Sequence, residues 1–365
     1  MPIKTIGQWL TPEGWVKGAC HHGSNVIKLV PQNSSELSPR FLPAPVDLHI
    51  HGGGGADVMQ GDEALRTVLR THASYGTGAM LATSVTAPVE QIDEFLASVK
   101  RVMQSPPECG AHLLGVHLEG PFINPDKLGA QPDFPIPLDL SILERWLSSG
   151  IVRVITYAPE LDIDGHVPEL CQRYGVRAQL GHTVCSWAQA SAAINQGVGV
   201  THLYNAMSAV KHREGGAALA ALAYAEFAEV ITDGIHVDRA AFDAAKRAIP
   251  GLYSVTDATS AAGMPDGQFK LGSLTITKEA DRVVLEDGTL AGSCLTQQRS
   301  IEVLRSWDLE WEAISRLCSS MPARWLGAAD YGVINTGAHA NWLELDEQGL
   351  SALWLSGKRY DLGDK

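Results

Sequence analysis

The sequence contains no apolar run approaching the roughly 20 residues that a membrane-spanning helix requires. Its first stretch, "MPIKTIGQWLTPEGW", lacks the long apolar core of a secretory signal. Positive charge is also in short supply. Lys and Arg number 28 against 41 Asp and Glu, a net charge of -13. That balance argues against nucleic acid or an anionic membrane as the main partner, though it leaves room for a locally basic pocket. Cysteine is sparse and scattered: Cys20, Cys109, Cys171, Cys185, Cys294 and Cys318 form no close pair. Such spacing suits reduced thiols in a cytoplasm better than a disulfide framework or a cysteine-type zinc site. No internal repeat or low-complexity tract is found.

What is present is ordinary globular material. The 365 residues are 45% hydrophobic and 19% charged, ample for a large core. Short runs rich in Val, Ile, Leu and Ala recur at 45–51, 78–85, 112–119, 151–158, 176–182, 198–204, 228–236 and 252–258. Helical patterns lie between them, starting at Asp62, Pro88, Leu138, Ile163, Ser186 and Asp238. Several open on Asp or Ser and close on Gly, as capped helices do. The strand runs are continuous rather than alternating, which is expected of strands buried on both faces. Eight such strands alternating with helices predict an α/β fold, a (β/α)8 TIM-type barrel over 45–326. "LTITKEADRVVLEDGTL" reads as a hairpin-like insertion, followed by a last helical region from Thr296 to about Leu326. Residues 1–44 and 327–365 do not fit the barrel. They read as short strands and turns, and predict a small β-sandwich domain built from both termini.

In such a barrel the active site lies at the C-terminal ends of the strands. Those ends carry His49 and His51 in "DLHIHG", Glu119 in "VHLEGPF", His182 in "LGHT", His202 in "THLYNAM", Asp233 and His236 in "TDGIH", and Asp257 in "VTDA". Each has an ordinary alternative. His49 and His51 could form a polar strand edge, His182 and His202 could be hydrogen-bonded core histidines, and Asp257 could cap a loop. Glu119 ends an apolar strand and would need a cationic partner or a metal. Together these alternatives become improbable, because every one of the residues falls at the same end of its strand. His21, His22, His72, His112, His166 and His339 lie off those ends and are read as structural or solvent-facing.

Neutral imidazoles with a carboxylate suit zinc, iron or a similar borderline divalent ion. Glu119, His182 and His202 would leave a fourth position open for water, as catalytic sites do. Period two puts His49 and His51 on one face of their strand, as a shared metal would need. Asp257 is then the natural general base.

The motifs "DLHIHG", "HLEGPFINPDKLGA", "LGHT", "THLYNAMS", "TDGIHV", "VTDA" and "LAGS" occur in order from 47 to 293. In them the chain resembles the amidohydrolase superfamily, and within it the N-acetylglucosamine-6-phosphate deacetylase family. The resemblance implies a cytoplasmic, homodimeric enzyme of amino-sugar metabolism that removes the acetyl group of N-acetylglucosamine 6-phosphate. It implies that Glu119, His182 and His202 hold the principal metal: zinc, or else iron, manganese or cobalt. His49 and His51 would allow a second ion, since family members with that pair can hold two. Asp257 would be the acid/base, and Asn205 and Ala206 would meet the sugar phosphate. Arg213 and His236 would bind the phosphate, a role to which forked guanidinium donors are suited. Leu290, Ala291 and Gly292 would line the substrate loop.

One departure stands out. Where the family usually has Ala-His or Thr-His after "HLEGPFINPDKLG", this chain has Ala130 and Gln131. That histidine helps polarise the substrate carbonyl, and Gln131 can donate a hydrogen bond but cannot be a cation. Gln131 could do the job more weakly, metal chemistry at His49 and His51 could compensate, or the substrate could differ. The alternatives are therefore a deacetylase of the galactosamine 6-phosphate epimer, an enzyme acting on another acylated amine, or a non-catalytic sensor or partner protein. Cyclic-amide hydrolases and deaminases usually lack "HLEGPF" and often carry a bridging lysine on strand four, which here ends in "TYAPE".

Overall fold

The computed structural model describes residues 2–32, 39–347 and 349–362. Eight parallel strands pair in chain order: β1 (Val46–Asp47), β2 (Ala79–Ser84), β3 (His112–Glu119), β4 (Val152–Tyr157), β5 (Arg177–Leu180), β6 (Gly199–Val200), β7 (Phe227–Ile231) and β8 (Gly251–Val255). Every residue of β2 and β8 is buried, as the continuous apolar runs require. β1 and β8 share no regular ladder. The sheet is closed just past their ends, where Ile50 bridges Ala258, the N–H of Asp257 donates to His49 O at 3.0 Å and the N–H of His51 donates to Ala258 O at 2.8 Å. The seam of the barrel thus runs through the candidate residues themselves.

Seven helices follow the first seven strands: α1 (Asp62–Ser74), α2 (Val89–Gln104), α3 (Leu140–Leu147), α4 (His166–Arg173), α5 (Trp187–Asn195), α6 (Ala217–Tyr224) and α7 (Arg239–Ala248). Their starts are chemically marked. Asp139 caps α3, Ser186 forms a capping box with Gln189 on α5, and Asp238 caps α7. α1 buries Leu65, Val68, Leu69, His72 and Ala73, one face at helical spacing. Fully burying a Leu or Val there contributes about 1.5–3 kcal/mol each over leaving it exposed. α6 is the helix that the sequence pattern does not reveal. Its "AALAALAY" is apolar all round, and Gly216 at its start makes no side-chain cap.

The insertion forms a three-stranded antiparallel sheet (Gly267–Leu271, Leu274–Glu279, Arg282–Val284). Thr296 caps the helix Gln297–Ser306, and the helical region ends at Leu326. Segments from both ends of the chain meet in one seven-stranded sheet, ordered 358–361, 350–355, 342–345, 40–43, 3–11, 14–22 and 26–31. Its core is aromatic: Trp9 stacks on Phe41 with centroids 4.1 Å apart, and Trp342 meets Trp9 edge-on at 5.1 Å. Among the described residues no helix is long and apolar enough to cross a membrane.

Candidate active site

Of the strand-end candidates only Glu119 lies within its strand; His49, His51, Asp233 and His236 lie past the ends of β1 and β7, and three more lie beyond theirs. β5 stops at Leu180, β6 at Val200 and β8 at Val255. His182, His202 and Asp257 follow in left-handed backbone, with φ of 47°, 26° and 51°. Non-glycine residues rarely sit there, and such strain is typical of functional turns. The bend carries each side chain out of the strand's alternation and over the mouth of the barrel.

There they converge. Glu119 Oε1 lies 3.1 Å from His182 Nε2 and 3.0 Å from His202 Nε2, and those two nitrogens are 3.1 Å apart. On the other side, His49 Nε2 and His51 Nε2 are 3.2 Å apart, and His51 Nε2 is 3.2 Å from Glu119 Oε2. All five residues are buried.

The outer ring nitrogens show why these contacts call for a cation. His182 Nδ1 faces Lys127 O at 2.8 Å, and His51 Nδ1 faces Thr83 O at 3.1 Å. A carbonyl only accepts, so each Nδ1 carries the hydrogen and each neutral Nε2 presents a lone pair. His49 Nδ1 faces Glu229 Oε2 at 2.9 Å with the same consequence. Lone pairs and a carboxylate aimed at one another within about 3 Å are what a divalent ion requires. Two buried sets qualify on geometry, Glu119 with His182 and His202, and His49 with His51 and Glu119. A third grouping, His49 with His117 and Glu229, does not, because both nitrogens of His117 are occupied, by Leu48 O at 3.0 Å and Thr156 Oγ1 at 2.7 Å.

The same charges act on protons. Burial alone would lower His49, but the carboxylates of Glu119, Glu229 and Asp257 outweigh it and hold the ring well above its usual pKa. His51 follows the same balance, with Asp257 and Glu119 raising it to about 9. Burial would raise Glu119, yet His49 and His182 hold it well below the ordinary carboxylate range. Asp257 is likewise lowered against its burial by His49 and His51, with its Oδ1 3.2 Å from His51 Nε2. Asp257 is therefore ionised at neutral pH and able to accept a proton.

Gln131 is buried and committed on both sides. Its amide nitrogen donates to Glu119 Oε2, and its carbonyl accepts from the N–H of Thr86 at 2.6 Å. It braces a candidate ligand, which residue type alone did not disclose.

These groups open into a pocket of about 250 Å³. His51, Glu119, Ala130, Gln131, His182, His202, Asn205, Ala206, His236, Asp257, Leu290 and Gly292 all line it. His49 and Ala291 are buried behind that lining. Asp233 stands behind His236, taking its Nδ1–H at 2.6 Å. Burial lowers His236, but Asp233 outweighs it and raises the pKa. Arg213 lies in an exposed stretch before α6 and is not part of the lining. Sequence reasoning missed Glu229 and His117 in the layer beneath, both fully buried, as is Asp47. Burial lifts Asp47 to about 6 even though Thr256, Gln297 and the His49 N–H donate to it. The available signal was charge inside apolar strands, "GVHL" and "FAEVI".

No family model matches the chain. Individual proteins do. It is 34% identical over 313 residues to the N-acetylglucosamine-6-phosphate deacetylase of Bacillus subtilis (strain 168), covering 82% of this chain and 79% of that one. It is 34% identical over 377 residues to the N-acetylgalactosamine-6-phosphate deacetylase of Escherichia coli O157:H7, covering 96% of both. The crystal structure of the N-acetylglucosamine-6-phosphate deacetylase from Pasteurella multocida superimposes with a TM-score of 0.91 over 99% of this chain and 100% of that one, at 23% identity. A mutant of the Mycobacterium smegmatis deacetylase, in complex with N-acetyl-D-glucosamine-6-phosphate, gives 0.90 at 27% identity over 98% and 99%. With a barrel of this topology, a buried carboxylate–imidazole cluster built for a cation and relatives of this similarity along most of its length, the chain is a metal-dependent hydrolase of the amidohydrolase superfamily and belongs to its N-acetylglucosamine-6-phosphate deacetylase family.

Proposed function

We propose that the chain hydrolyses the acetamide of N-acetylglucosamine 6-phosphate to acetate and glucosamine 6-phosphate. The observation that carries this reading is the setting of Asp257. It is an ionised carboxylate lining the pocket, 3.2 Å from His51 and beside the Glu119, His182 and His202 cluster. Glu119, His182 and His202 would hold the principal divalent ion, with zinc the best match to that donor set and iron, manganese or cobalt also compatible. His49 and His51 would hold a second ion together with Glu119. When bound, such an ion supplies polarisation of the amide carbonyl and a water whose pKa approaches neutrality.

Asp257 does the proton work. It accepts the proton of the attacking water and returns it to the nitrogen as the C–N bond breaks, so that the amine leaves neutral. Asn205 and Ala206 would meet the sugar phosphate. His236, whose pKa Asp233 raises, would bind the phosphate itself, with Arg213 reaching it from the exposed stretch outside the lining. The loop of Leu290, Ala291 and Gly292 would line the substrate site. Gln131, already braced against Glu119, would orient that ligand rather than act as a free carbonyl donor. Relatives of known name and the ligand in the Mycobacterium smegmatis structure support this choice of substrate. All six cysteines are free, which supports a cytoplasmic setting, and the resemblance supports a homodimer.

The galactosamine epimer is the second reading, favoured by the Escherichia coli relative that matches over 96% of both chains. The test is acetate release from N-acetylglucosamine 6-phosphate, its galactosamine epimer and unphosphorylated N-acetylglucosamine, with metal content measured on the same sample. Turnover of the first alone supports the leading reading. Preference for the epimer moves the assignment to the second. A metal-loaded chain inert on all three overturns both and directs attention to other acylated amines.

A further inference from the structure

Glu229 sits on β7, fully buried, and takes no part in the steps above. Its Oε2 accepts two hydrogen bonds, from His49 Nδ1 at 2.9 Å and from the backbone N–H of His202 at 3.2 Å. Its Oε1 accepts from the hydroxyl of Tyr253 at 3.3 Å, and that hydroxyl in turn accepts from Gln179 Nε2 at 3.1 Å. One carboxylate oxygen therefore touches a residue from each candidate cation position. The contacts differ in kind. His202 is reached through its backbone, which leaves its imidazole untouched. His49 is reached through the ring, which fixes the tautomer and aims Nε2 at His51 and Glu119.

Charge points the same way. Among the described residues, the ion pairs of Glu119, Glu229 and Asp257 are all with histidines. With the imidazoles neutral, as ligands must be, three buried carboxylates and one dication leave a net negative charge. With two dications the balance turns positive, which favours an anionic substrate.

We propose that Glu229 is the positioning residue that makes His49 a metal ligand and so creates the second cation position, while Glu119, His182 and His202 hold the first without its help. This rests on the two-ion reading given above. A carboxylate that only filled space in the barrel floor would affect both positions alike, or neither.

The test is zinc binding by the full chain, stripped with chelator and titrated against a chromophoric competitor, with bound zinc counted by mass spectrometry. Wild type is expected to take two ions per chain. Glu229→Gln, of the same shape but uncharged, is expected to weaken the second ion about 10- to 100-fold and leave the first unchanged. Glu229→Asp keeps the charge but draws the carboxylate back from His49, and should show the same selective loss. It also serves as the test should Glu229→Gln fail to fold. Two ions held by both variants as tightly as by wild type would overturn the role of Glu229 alone. Equal weakening of both ions would do the same, by marking a structural role. A wild-type chain that takes one ion would instead sink the two-ion reading, and this inference with it.

Discussion

Gln131 and Glu119 form a brace: the amide of Gln131 donates to Glu119 Oε2, leaving Oε1 to face His182 and His202. The Thr86 N–H locks the amide from behind at 2.6 Å. Gln131→Leu would strand the buried Thr86 N–H and leave Glu119 Oε2 with His51 Nε2 alone, at 3.2 Å. Leaving such a group unpaired costs about 1–3 kcal/mol. Calorimetry on the zinc-free chain should show a lower Tm. An unchanged Tm would mean that water substitutes for the amide and that the brace adds nothing.

Asp257→Asn should fold and keep the ion of Glu119, His182 and His202, a set to which Asp257 does not belong. Its turnover should fall about 10²- to 10⁴-fold, the usual contribution of a general acid–base. Acetate release with zinc content on the same preparation checks this, and full activity would remove Asp257 from the proton-transfer role.

Zinc affinity should rise with pH. A cation at His51 must displace the proton that Asp257 and Glu119 favour there, and that proton is lost only near pH 9. Each displaced proton makes the apparent affinity about tenfold tighter per pH unit below that value. Competition titrations between about pH 6 and 9 measure the slope. A flat profile would show that no proton occupies the cluster.

His72 predicts the acid limb of stability. It lies fully buried on α1, its Nε2 bonded to Gly52 O at 2.8 Å, and burial lowers its pKa to about 4. The unfolded chain therefore binds a proton that the folded chain refuses. The contribution is fully present above the unfolded value near 6.5 and is lost as pH falls towards 4. The whole span amounts to about 3 kcal/mol. Urea unfolding of His72→Gln should show a shallower loss over that window, and an identical slope would place the acid sensitivity elsewhere.

Much of this molecule was legible before any coordinate. Strands buried on both faces announce themselves as continuous apolar runs, and helices such as α3, α5 and α7 announce their starts through Asp or Ser caps. Residue order at strand ends named Glu119, His182, His202 and Asp257 as a group, since a parallel barrel brings those ends together. α6 stayed hidden because alanine and leucine on every side give no period to read.

The sequence by itself determined the alternation of strands and most helices, the barrel and the meeting of Glu119, His182, His202 and Asp257 at its mouth, because these follow from local hydrophobic pattern and chain connectivity. Only the tertiary structure decided how they meet. The bond from Gln131 to Glu119 and the place of Glu229 beneath His49 depend on contacts between separate segments, and the left-handed turns at His182, His202 and Asp257 and the position of Arg213 outside the pocket lining are seen only in the folded chain. Pattern reports whether a residue faces inward. Hydrogen-bond direction and charge partnership are settled only when distant segments come within about 3 Å.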